Sequence, residues 1–108
     1  TIFAKELEKI GCHYVCVSSG GNTPNPKIPI GPHYQVHLAR KIKKNTKMIV
    51  RTVGMITDPF EANNIIISKD ADMVAMARAF LSNPRWVWDA AKVLNHDIVV
   101  PPQYARRI

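Results

Sequence analysis

Cysteine is scarce in this sequence: there are two in 108 residues, Cys12 and Cys16. They stand four apart, neither a CxxC pair nor matched by a second Cys/His pair, so a zinc site of the usual spacing is not indicated. Two isolated thiols fit a reduced, cytoplasmic protein and read as inert, buried packing groups. Long apolar runs are also missing. Nothing approaches the ~20 residues that span a bilayer, and the opening TIFAKELEKIG lacks the basic-then-apolar order of a secretion signal. Acidic residues are few, eight against fifteen Lys and Arg, leaving a formal charge of +7. That excess invites a nucleic-acid reading. Much of it, however, is Arg40, Lys41, Lys43, Lys44 and Lys47, on the polar face and exit of one expected helix. No aromatic residues interleave there to stack bases. A solvated helix face is the better reading, without nucleic acid or membrane as partner. An initiator Met is absent too, which suggests a fragment or a processed product.

What is present is 46% hydrophobic residues, enough for one modest core. Ile2, Phe3, Leu7 and Ile10 recur at helical spacing and Gly11 stands where a helix-ending glycine belongs. YVCV at 14–17 reads as a buried strand, followed by a Pro/Gly/Asn-rich loop from Gly20 to Pro32. Residues 33–44 read as a second helix and Met48 to Val53 as a second strand stopped by Gly54. In TDPFEANNIII, Asp58 can cap a third helix, Pro59 suits its first turn, and Glu61 would complete a capping box. ADMVAMA at 71–77 reads as a third strand with Arg78 at its end. Asn83-Pro84 opens a last helix, RWVWDAAKVL, before the tail VVPPQYARRI.

Alternating helices and strands indicate parallel βαβ units. Strands apolar throughout are expected to be covered on both faces. A closed (β/α)₈ barrel takes about 250 residues, so 1–108 is expected to be a single partial domain holding three of its units. In such folds chemistry gathers at the carboxyl ends of the strands. Those ends read Ser18-Ser19-Gly20, then Val53-Gly54-Met55, then Ala77-Arg78. Glycines allow close backbone approach, and a guanidinium suits phosphate. The alternative for Arg78 is an ion pair with Asp72 or Asp89.

VSSGG, TVGMITDP, ADMVAMARAFLSNP, AAKVLN and PPQYARRI together resemble the C-terminal portion of old yellow enzymes, in the branch of bacterial NADPH dehydrogenases and xenobiotic reductases. The resemblance covers essentially the whole chain. It implies a TIM barrel, of which strands six to eight are present, with FMN bound non-covalently and NAD(P)H as co-substrate. It implies hydride transfer to an activated alkene, and a homo-oligomer for the full-length protein. Carried over by position, the FMN contacts fall on Ser19 and Gly20, on Val53 and Gly54, and on Ala77 and Arg78. Arg106, with Tyr104 nearby, matches the arginine that enters a neighbouring subunit's active site. Two positions depart from the family: Ala77 replaces its usual glycine, and Arg51 interrupts strand seven.

The resemblance places no catalytic residue in this chain, so the 108 residues alone are expected to be inactive. A CoA-thioester-acting relative stays open, as does a non-catalytic phosphate-binding module that assembles with another chain. His33 and His37 form an i, i+4 pair that can bind metal, but without a third ligand they read as a solvated helix face. Trp86 and Trp88 read as core or interface, and Met55, Met73 and Met76 as packing. Asn22 to Pro32 reads either as a lid over the flavin or as an unstructured loop.

Overall fold

A computed structural model describes residues 1–20 and 31–106. The expected loop, Asn22 to Pro32, therefore lies almost wholly outside the described residues. Among the described residues five helices and three strands follow the order α1 (Ile2–Lys9), β1 (Tyr14–Val17), α2 (Val36–Asn45), β2 (Ile49–Val53), α3 (Pro59–Ile67), β3 (Met73–Ala75), α4 (Arg78–Ser82) and α5 (Trp86–Val93). A 3₁₀ turn, Pro102–Tyr104, closes the described tail.

The sheet is parallel and runs β1-β2-β3 in chain order. Tyr14 pairs with Ile49, and Arg51 with Met73. Side chains alternate across a strand, so Val15, Val17, Val50, Thr52 and Val74 share one face. That face packs on Val36 and Ala39 of α2 and on Ala62 and Ile65 of α3. Both crossover helices thus lie on the same side of a sheet whose strands keep chain order. A doubly wound sheet reverses its strand order and puts helices on both faces. Helices on one side only are consistent with part of a barrel wall.

The other face carries Tyr14, Cys16, Ile49, Arg51, Val53, Met73 and Ala75. The apolar strands led us to expect cover on both sides, yet Ile49 is 49% exposed and Tyr14 44%. This also answers where Arg51 points: away from the helices. Its guanidinium carbon sits 5.2 Å from the Tyr14 ring centroid. The Cys16 sulfur, directly across the ladder, and Tyr14 hold the Arg51 group above its already high ordinary range.

Several expectations need correction. Cys16 is exposed and Cys12 half-buried, because the face Cys16 occupies is open. The third strand is only Met73–Ala75. Asp72, just before it, donates its backbone N–H to Val50 O at 2.8 Å and accepts the Val50 N–H with its side chain at 2.9 Å, and Arg78 begins a short helix instead of ending the strand. The second helix begins at Val36, after turns over 32–35. Asp58 does cap α3, accepting from the Phe60 N–H at 3.3 Å. Glu61 does not turn back on it and instead pairs with His33 Nε2 at 2.8 Å, so His33 is not a solvated helix residue. Met76 and Trp86 pack against the core, whereas Met55 and Met73 are 40% and 38% exposed.

Helix ends obey one rule with three residue types. Gly11, Lys69 and Asn95 all take positive φ just after α1, α3 and α5. Each lets the following N–H reach back into the last turn: Cys12 to Leu7 O, Asp70 to Ile65 O and His96 to Ala91 O. That closes orphan carbonyls. Only the glycine was readable from composition.

Candidate functional site

The carboxyl ends of the three strands meet around a cavity of about 200 Å³. Its wall includes Ser18 beyond β1, Val53 and Gly54 at β2, and Ala77 and Arg78 beyond β3. Four of the six residues expected to touch cofactor therefore share one hollow. Ser19 and Gly20 stand beside it without lining it.

Each lining group has a local cause. Gly54 has φ +128°, a conformation open to glycine and strained for other residues. A Cβ built there would lie 2.8 Å from a Tyr34 ring carbon and 2.9 Å from Gln35 Nε2. The glycine thus lets the β2 tip run directly under the start of α2. Arg78 is exposed at the first turn of α4. Neither candidate carboxylate pairs with it. Asp72 holds Lys43 Nζ at 2.5 Å and the Val50 N–H, while Asp89 accepts from Asn83 Nδ2 at 2.6 Å. Among the described residues no ion pair engages the Arg78 guanidinium.

Gln35 is the residue that motif reading missed. It precedes α2, is 2% exposed, and ties two strand tips together. Its Oε1 accepts from Ser18 Oγ at 2.9 Å, Ser19 N at 2.5 Å and Ser19 Oγ at 2.9 Å. Its Nε2 donates to Val53 O at 2.8 Å. A polar residue beside the apolar Val36, just past a Pro/Gly loop, was the one available signal, and burial gave it meaning.

Elsewhere, a larger concavity of about 570 Å³ runs along α5 and mixes Arg85 and Lys92 with Asp89 and Asp97, so it has no single preferred charge. Arg85 lies over both Trp88 (5.1 Å) and Tyr104 (4.6 Å), which clamps the tail near Arg106. Arg106 is exposed at the last described position. Among the described residues no cluster of three or more His, Cys, Asp or Glu could hold a metal, and no helix is long and apolar enough to cross a membrane.

Strands in chain order, helices on one side and a small hollow at the carboxyl ends of the strands define an α/β protein with a parallel sheet. Residues 8–97 match the NADH:flavin oxidoreductase / NADH oxidase family, and the chain belongs to that family. It is 39% identical over 103 residues to an NADPH dehydrogenase of Halalkalibacterium halodurans, covering 95% of this chain and 30% of the relative. It is 38% identical over 104 residues to an NADPH dehydrogenase of a Geobacillus species, covering 96% of this chain and 30% of the relative. The corresponding figure for the NADPH dehydrogenase of Listeria monocytogenes is 36% over 104 residues, again 30% of the relative. The chain thus spans about 30% of the length of the curated relatives it matches. That family is one of flavin-dependent oxidoreductases named for NADH.

Proposed function

We propose that this chain is the last three βα units of a TIM-barrel ene-reductase and builds the end of the site that holds the FMN phosphate. The observation that carries the reading is the convergence of Gly54, at φ +128°, with Arg78, which has no ion-pair partner among the described residues, on one small hollow. The residues fit the group. At about 200 Å³ the hollow falls below the roughly 300–1,000 Å³ that encloses a whole small ligand, which suits a phosphate terminus. The Arg78 guanidinium offers paired donors to phosphate oxygens, and Ala77, with one methyl more than glycine, still leaves its backbone N–H for the same anion. Bound FMN would supply hydride transfer from NAD(P)H to an activated alkene such as an enone, and the protein's part is to bind and orient it.

The open sheet face suits the interior of such a barrel, with Arg51 the one permanent cation on it among the described residues. Arg106, on a tail held by the Arg85–Trp88–Tyr104 stack, suits contribution to a neighbouring subunit's pocket in a cytoplasmic homo-oligomer. The 108 residues alone neither retain FMN tightly nor turn over. Full polypeptide carrying Arg78→Ala should lose about 30- to 100-fold in FMN affinity, the worth of a bidentate charged contact. Titration of flavin fluorescence checks this, and unchanged affinity would remove the phosphate assignment.

A further inference from the structure

Three strand tips can form one cradle only if something sets their spacing. Main-chain ladder bonds end at Val17 and Val53, and beyond them the chains are free to splay. The buried amide of Gln35 spans that gap. We infer that Gln35 is the positioning residue of the phosphate cradle: its two-ended amide fixes the β1 tip against the β2 tip, so that Ser18 and Gly54 face the same hollow as Arg78. This rests on the phosphate reading above.

The amide can sit only one way round. The Ser19 backbone N–H is a donor with no accepting alternative, so it must face Oε1. Val53 O is an acceptor only, so it must face Nε2. Flipping the amide would oppose donor to donor and acceptor to acceptor on a side chain that is itself buried. Its orientation is therefore locked by main-chain groups on two strands at once. The same bonds give Ser19 its place. Both its N–H and its hydroxyl are taken by Gln35, so Ser19 acts on the cavity through the amide and not by touching its contents.

Ser18 has a different part. Three donors meet an oxygen with two lone pairs, so one hydroxyl is surplus. Ser18 lines the cavity and has a second, longer option at Gly20 O (3.5 Å). Its hydroxyl can turn to an oxygen of an incoming anion without leaving Gln35 unsatisfied.

Glu and Gln are nearly isosteric, but a carboxylate places an oxygen against Val53 O where an N–H donates now. The test measures FMN and riboflavin, which differ only by the phosphate, against the full polypeptide stripped of flavin, by fluorescence quenching. Wild type prefers FMN. Gln35→Glu lowers the FMN-to-riboflavin ratio by about tenfold, the worth of one lost and one repulsive contact, while riboflavin affinity stays within about twofold. Gln35→Asn, one methylene too short to bridge both tips, does the same if the Glu variant does not fold. A wild type without FMN preference overturns the phosphate reading and this inference together. A wild-type preference that persists in both variants overturns the inference alone. So does an equal loss of both flavins, or failure of both variants to fold, since either makes Gln35 a general structural residue.

Discussion

The two ends of the sheet are both tied across strands, but with opposite chemistry. At the amino ends, Asp72 binds the Val50 N–H and Lys43 Nζ, and Glu8 accepts from the Lys47 N–H: charged groups satisfied in reach of solvent. At the carboxyl ends the tie is a neutral, buried amide, and the nearby cation, Arg78, is left without a carboxylate among the described residues. A charge paired within the fold is spent on stability, whereas a charge left unpaired beside a hollow is available to a ligand. The proposed phosphate cradle lies at the carboxyl ends, where parallel α/β folds gather their ligands.

The sharpest way to break the contrast is Gly54→Ala. The added methyl meets the Tyr34 ring and Gln35 Nε2, and alanine must take φ +128°. Strain and overpacking together should cost about 3 kcal/mol and abolish flavin retention, checked by urea unfolding and bound-flavin absorbance. At the opposite end, Asp72→Asn should cost about 1 kcal/mol, because the pair is partly exposed and screened, and should leave flavin affinity unchanged. The Lys43 contact, followed by the Val50 N–H, holds the Asp72 carboxyl below its ordinary range. A lowered folded value means that its contribution is present above the unfolded carboxylate range, near pH 4, and fades as pH falls through the folded value. Wild-type stability should therefore drop on that acid limb more steeply than the Asn variant's. The smallest effect is expected between the two ends. Thr52 is fully buried and its hydroxyl has no partner among the described residues. Thr52→Val should stabilise by up to about 1 kcal/mol by removing an unsatisfied polar group, with no change at either end.

Strand and helix identities were legible because each follows from nearby residues. The β-branched runs at 14–17 and 49–53 and the Asp58-Pro59 start of α3 dictate their own geometry. The convergence on Val53, Gly54, Ala77 and Arg78 was also foreseeable, since parallel strands in one sheet put their carboxyl ends at one edge. Other features depended on distant partners. Glu61 prefers His33 to its own helix start, Asp72 turns its carboxylate onto the Val50 N–H, and Arg78 opens a helix that no periodic pattern announced.

Local propensity and apolar alternation in these 108 residues sufficed to specify parallel βα units with glycine and arginine at their tips. Whether Arg78 met a carboxylate among the described residues, which way Arg51 faced and what Gln35 bonded emerged with the packed chain. Those outcomes turn on burial and on pairings between residues 16 to 29 positions apart, and a hydrogen bond or charge takes its value from the groups it meets and the water it loses, neither of which is written in neighbouring residues.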